Sequence, residues 1–427
     1  MKVYDISLSL DKMLGLLSAK RVLVYASVLA LLTLITILAL YIHVPSFRES
    51  PGADFVQFYA AALLSGAEPD KIYDSQSQIE IQRQFSVGAR NGVHWPYLHA
   101  PFFTVLLIPL RWFSYVGAFW FWTLFTLTLY LLSVVLLIRS VPIRRPPLKL
   151  SLAVAAAAPV FYWLILTGQT TAIALFIWTM AFVFLQQGRF YWSGFVLGFL
   201  SYRAQYLTII LPLLFLRRMW WGMFGFSTSV VSLIVIGGLM FSFDSYLQYI
   251  EAVRQQSGRI ENLTQPLSHY VTVYGFFRQL LPPLWALYGT ALASSILLYW
   301  LWKVWRGVVD FRSGIFDLQY ASLVTTTLLL MYHGFVYDLL LLTIPMLLLY
   351  QYRSMLPPYH VLVLLFLYFV PYMLLIFREQ FLINPIQPAL MFLCFEIYVV
   401  SRTVVAEAAD CNTRDLSHRV SLRDEKR

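Results

Sequence analysis

Charge is scarce in this chain. Asp, Glu, Lys and Arg together make up 12% of its 427 residues, against roughly 25% in an ordinary soluble domain. That shortage excludes a disordered chain, a coiled coil and most soluble enzymes. Cysteine is almost missing: there are two, Cys394 inside an apolar run and Cys411 in a charged tail. They build neither a disulfide framework nor a CxxC metal site. No Gly-rich phosphate cradle of the GxxxxGK[ST] type occurs, and no HExxH zinc spacing.

What fills the space is apolar. Hydrophobic residues are 59% of the chain and aromatics 17%, and mean hydropathy is +0.69. The apolar runs are continuous rather than alternating, which excludes a membrane β-barrel. The fold class expected is an all-α polytopic membrane protein. The excess of bases, 31 against 21 acids, falls in short gaps between apolar runs. It therefore reads as a topology signal for cytoplasmic loops rather than as a nucleic-acid surface.

The basic residues orient the runs. Lys12, Lys20 and Arg21 precede Val22–Ile42, a stretch of span length rather than a cleavable signal. Residues 1–21 are expected in the cytoplasm. Further spans are expected at Ser114–Ile138, Leu150–Leu166, Thr170–Leu185, Trp221–Phe241, Leu281–Trp302, Phe316–Tyr332, Leu339–Tyr350, Val361–Phe377 and Ile386–Val400. Pro101–Phe113 is too short to cross and is read as re-entrant or interfacial. Phe190–Leu216 has Arg189 at one end and Arg217–Arg218 at the other, so both ends belong in the cytoplasm. It is read as two short half-helices meeting at Ser201–Gln205. With the half-helices the total is about twelve crossings. Residues 22–402 form one membrane domain with extracytoplasmic loops at 45–98 and 242–280. Residues 403–427 are a cytoplasmic tail, and the charged stretch from Ser401 is expected to be mobile.

The polar residues that stand out fall on the extracytoplasmic side of this topology. Asp54 precedes the helix-forming run Ala60–Leu64. It suits a helix N-cap, or a carboxylate partly desolvated at the interface and able to take a proton from a hydroxyl. Arg203 lies at the half-helix tip. A membrane Arg is expensive and faces a cavity or a partner, and its guanidinium fork suits a phosphate. Pairing with an acid is the alternative. Gln169, His269, Tyr270, His333, Tyr337 and Asp338 share that side. His94 and His99 flank Trp95-Pro96-Tyr97, and each histidine taken singly has more structural than catalytic precedents. Asn262-Leu263-Thr264 is a glycosylation sequon by pattern.

In order along residues 50–350, this set resembles glycosyltransferase family 87, membrane enzymes of C-type architecture that use polyprenyl-phosphate sugars. Asp54-Phe55 with Tyr59-Ala60-Ala61, then Gly66, Pro69 and Tyr73, is similar to the family's DFxxYxAA element. Tyr97, Pro101 and Pro109-Leu110 are similar to its YxYPPxxxxLxxPL stretch. Gly168-Gln169, then Gly194, Gly198, Arg203-Ala204-Gln205 and Pro212, resemble its GQ and G-LG-KPQ-P pattern. Tyr337-Asp338-Leu339 with Pro345 resembles its WxYDLxLxxxP element. The chain departs by carrying Arg203 where Lys is usual, one Pro at 101 where a pair stands, and His333-Gly334 for Ser-Pro.

The resemblance implies an extracytoplasmic site with Asp54 as general base and Arg203 on the donor phosphate. Tyr59, Gln169, Gln205, His269, Tyr270, His333, Tyr337 and Asp338 are the substrate-binding candidates. No metal or other cofactor is expected. The implied activity is inverting transfer of a sugar, mannose being the first candidate, to a lipid or cell-envelope glycan. The setting would be a bacterial inner membrane, with membrane lipids as neighbours and no nucleic acid. A lipid-linked sugar transporter or flippase is the alternative, since broken helices and a membrane Arg suit one too.

Overall fold

The computed structural model describes residues 18–141, 145–257, 269–307, 309–356, 359–377 and 385–424, with backbone alone at 256–257, 375–377 and 407–424. Lys12, Arg144, the Asn262-Leu263-Thr264 sequon and the side chain of Cys411 lie outside this description. The described chain is all-helical, and an antiparallel bridge pairs Tyr270 with Phe335.

Five helices are long and apolar enough to span a bilayer: Ala19–His43, Tyr115–Ser140, Trp220–Phe241, Pro283–Trp305 and Ile386–Ala406. Their outer faces expose side chains such as Leu31, Leu124 and Leu239, as lipid-facing helices do. Two bent pairs raise the count to seven: Leu148–Ala156 with Pro159–Thr167 at 47°, and Phe190–Leu207 with Ile210–Leu216 at 108°. The second pair is the expected broken helix, and Arg203 within it has non-helical φ −137° and ψ 78°.

The expected total of about twelve crossings is not reached by length. Thr171–Gln186 has 16 residues and Gly314–Leu330 has 17. At about 1.5 Å per residue these are shorter than a hydrocarbon core of about 30 Å. Thr343–Leu349 has only 7 residues between two 3-10 turns. Gly314–Leu330 is buried on every side from Phe316 to Leu329. Its buried residues include Asp317 and Gln319, and hydropathy alone does not separate burial in lipid from burial in protein. Pro101–Leu107 and the turn Ile108–Trp112 are short, as expected. The last helix runs on through the charged stretch from Ser401 to Asp424.

Close backbone packing locks the broken pair in place. Phe190–Gly198 lies on Trp220–Phe241 so tightly that a Cβ at Gly194 would sit 1.8 Å from the Gly222 carbonyl oxygen. Small residues permit such approaches between membrane helices.

The stretch 45–98 is itself structured. Phe55–Ala67 is buried along most of its length, and the polar helix Ser75–Phe85 presents Gln78 and Gln82 inward. Gln82 donates to the Trp95 carbonyl (2.7 Å) and accepts from the Trp95 N–H (3.1 Å), while Gln78 accepts from the Tyr97 N–H (2.9 Å). These amides replace the backbone partners that an irregular segment lacks, and they hold Trp95 in position beside Asp54.

Candidate active site

Asp54 occupies the N-cap position of Phe55–Ala67, but its side chain makes no capping bond. Its backbone is held elsewhere: the N–H groups of Ala53 and Asp54 donate to the carbonyls of Leu166 (3.0 Å) and Thr167 (2.9 Å). Those are end-of-helix carbonyls with no partner in their own helix. The close approach requires Gly168, whose φ is +73° and where a Cβ would lie 2.6 Å from the Cβ of Phe55. The next residue, Gln169, therefore faces Asp54 directly.

A chain of hydrogen bonds then crosses the site. Gln169 Nε2 donates to Asp54 Oδ2 at 2.6 Å. Arg203 Nη2 donates to Gln169 Oε1 at 3.2 Å, and Arg203 Nη1 donates to Asp338 Oδ1 at 3.3 Å and to the Tyr206 hydroxyl at 3.0 Å. Four residues singled out in the sequence, Asp54, Gln169, Arg203 and Asp338, thus form one network.

The two carboxylates are differently placed. Asp338 is fully buried. Its Oδ1 accepts from Arg203, Tyr206 (2.5 Å) and Thr171 (3.1 Å), and its Oδ2 accepts from the Phe335 N–H (2.9 Å). Those donors satisfy it, so its part is to hold Arg203. Asp54 is half-buried, and Gln169 and Trp95 are its side-chain hydrogen-bond donors. Burial raises its pKa above the usual carboxylate value, while the bonds from Gln169 and Trp95 and the charge of Arg203 pull it back. A reachable carboxylate of raised basicity suits proton abstraction.

The remaining candidates separate into two groups. Arg203 lies 5.6 Å over the ring of Tyr337, a cation–π distance. Gln205 Nε2 donates to the His333 carbonyl at 3.0 Å, tying the half-helix to the turn that carries Tyr337 and Asp338. Phe335 gathers His333, Tyr270 and Tyr337 at ring distances of 4.5, 4.6 and 5.5 Å. Burial, helped by Arg203, lowers the His333 pKa to about 4, so its imidazole is neutral near pH 7. His269 stands against Trp163 at 5.3 Å.

Tyr59 is not in the network: its hydroxyl donates to the Phe113 carbonyl at 2.9 Å and its ring packs on Tyr115 and Phe85. His99 is buried among Tyr97, Phe103 and Tyr202. Sequence reasoning missed Tyr206, Thr171 and Trp95. Tyr206 lies three residues beyond Arg203 in the same 3-10 segment, and Thr171 follows Gln169 by two. Nothing local signals Trp95.

The fold and this network define a multi-pass helical membrane protein with a buried acid–base constellation at one end of its bundle. The chain belongs to glycosyltransferase family 87, which it matches over residues 97–332, more than half its length. It is accordingly a membrane glycosyltransferase, an enzyme that moves a sugar from a donor to an acceptor. The matched stretch contains Gln169 and Arg203, while Asp54 and Asp338 lie on either side of it. No curated protein and no solved structure matches the chain.

Proposed function

We propose that this enzyme transfers a sugar, mannose being the first candidate, from a polyprenyl phosphate to a lipid or cell-envelope glycan, on the extracytoplasmic face and with inversion. The observation that carries the reading is the bridge through Gln169, which sets a half-exposed carboxylate beside a cation within one network. Asp54 takes the proton of the acceptor hydroxyl. That oxygen attacks the anomeric carbon, and the bond from this carbon to the phosphate oxygen breaks. The phosphate keeps the electron pair, and its charge develops beside Arg203. Asp54 then returns its proton to water. One base suffices, because a lipid phosphate leaves as a stable anion, unlike the leaving group in glycoside hydrolysis.

Three of the five guanidinium N–H groups serve Gln169, Tyr206 and Asp338; a phosphate would take the remaining ones in competition with Tyr337. The assigned face rests on the positive-inside rule. Arg139, Arg189 and Arg353 come after helical segments that begin near the site, and Arg145 and Lys149 stand at the start of the bent pair that ends there, so these bases belong to the opposite ends.

The test is transfer of labelled sugar from synthetic polyprenyl-phosphate donors to membrane lipid extract, with wild type beside Asp54→Asn. Transfer by wild type that is lost in Asp54→Asn, with donor binding retained, is the expected result. Unchanged transfer in the variant would move the base to His269 or His333. Specific donor binding without transfer from any donor would favour a carrier.

A further inference from the structure

A concavity lies between the helices, and its lining includes none of Asp54, Gln169, Arg203 and Asp338. It is a groove of about 520 Å³, within the range of roughly 300–1,000 Å³ typical of ligand clefts. Its walls come from Ala19–His43, Tyr115–Ser140, the bent pair Leu148–Thr167, the segment from Leu339 to Arg353, and His360–Phe377. Val134, Val154, Leu342 and Leu347 make it apolar. Two of its three tyrosines are already satisfied: Tyr130 donates to the Ala155 carbonyl (3.1 Å) and Tyr368 to the Val154 carbonyl (2.8 Å). The interior is therefore suited to hydrocarbon.

One end is basic. Arg353 lines it, exposed, with its guanidinium 4.4 Å from the ring centre of Tyr350. Ala19, Pro146 and Leu150 also line the groove, and their chain neighbours Lys20, Arg145 and Lys149 are exposed. Among the described residues none of these four bases is in an ion pair. No acid occurs in residues 18–22, 145–151 or 346–356.

We propose that the groove binds an anionic glycerophospholipid, one acyl chain between the walls and the phosphate at Arg353, Arg145 and Lys149. The helical segment from Leu339 to Arg353 is roughly 20 Å long, comparable to the ~15 Å hydrocarbon depth of one leaflet. Basic clusters between membrane helices attract anionic head groups. A polyprenyl phosphate shares this chemistry. Seated with its phosphate on Arg353, however, it would lie the length of that segment away from Asp338 and the network to Asp54. The groove is therefore a lipid site separate from the transfer site, and its occupancy does not depend on the reaction proposed above.

The test uses the purified full chain in non-ionic detergent and reads retained lipid by native mass spectrometry, so no turnover is needed. Phosphatidylglycerol, phosphatidylcholine and polyprenyl phosphate are titrated singly and in competition. The expected result is preferential retention of phosphatidylglycerol, weakened at least about tenfold by Arg353→Glu and preserved by Arg353→Lys. Leu347→Trp, which fills the groove from a half-buried position, should also weaken it while the melting temperature stays near wild type. Equal retention of phosphatidylglycerol and phosphatidylcholine would overturn the proposal as a belt of bulk lipid. Wild-type phosphatidylglycerol binding by folded Arg353→Glu and Leu347→Trp would overturn it too. So would polyprenyl phosphate displacing phosphatidylglycerol and losing its own binding in Arg353→Glu, since the groove would then belong to the donor.

Discussion

Gln169 bridges Asp54 and Arg203: its amide nitrogen donates to Asp54 Oδ2 at 2.6 Å, and its amide oxygen accepts from Arg203 Nη2 at 3.2 Å. The amide orientation follows from its neighbours, since a carboxylate only accepts and a guanidinium only donates. Through this one side chain the state of the carboxylate and the position of the cation are coupled.

Asp54→Asn is expected to lower transfer by about 10²–10⁴-fold, the usual worth of a positioned base. The same change should not lower the melting temperature at pH 7. Burial raises the Asp54 pKa, so keeping it ionised at neutral pH costs the folded state, and the contribution of this group falls as pH rises through its folded pKa. Asparagine carries no such cost. Transfer assays and thermal unfolding of the same two samples check both halves.

Gln169→Met tests the bridge. The bond from Gln169 lowers the Asp54 pKa against the effect of burial, so its removal should raise that pKa further. The base form is the active one. Activity is therefore lost as pH falls through this pKa, and the acid limb of kcat/KM should move to higher pH in the variant. A limb that stays in place would separate Gln169 from the titrating group.

Arg203 and Asp338 form a pair 3.3 Å apart, with side chains 10% and 1% exposed. Asp338→Asn should destabilise by about 3–5 kcal/mol, because it strands a buried cation. Arg203→Met combined with Asp338→Leu should recover much of that stability while leaving the enzyme inactive. Denaturant unfolding of the two variants and wild type, beside transfer assays, distinguishes a positioning pair from one that only holds the fold.

Two glycines in one helix contact should behave oppositely. At Gly194 a Cβ would lie 1.8 Å from the Gly222 carbonyl oxygen; at Gly222 the nearest atom to a Cβ is 3.6 Å away. Gly194→Ala should cost about 1–3 kcal/mol or more by forcing the helices apart. Gly222→Ala should be neutral or gain up to ~1 kcal/mol from helix propensity. Unfolding midpoints of the two variants decide this.

Much of the site was legible in advance. A carboxylate before an alanine-rich helix and an arginine in a membrane segment are both costly, so each asks for a function or a partner. The break around Arg203 was legible as well, because basic residues at both ends of Phe190–Leu216 conflict with a single crossing. Tyr59 was not legible. Its sequence context matches that of a substrate-facing residue, yet its hydroxyl is occupied by the Phe113 carbonyl.

By itself, then, the sequence determined an all-helical membrane-embedded chain, the family, and the residues whose burial needs a reason, because composition and charge placement act along the chain. The tertiary structure decided which of those residues meet. Hydropathy does not distinguish lipid from protein as the surroundings of an apolar helix, so the expected span Phe316–Tyr332 gave no sign that residues 316–329 are enclosed by protein. Partners such as Gln169, Arg203 and Asp338 are distant along the chain. Only the packing of the helices that carry them, through the close contacts at Gly168 and Gly194, brings their side chains within hydrogen-bond reach.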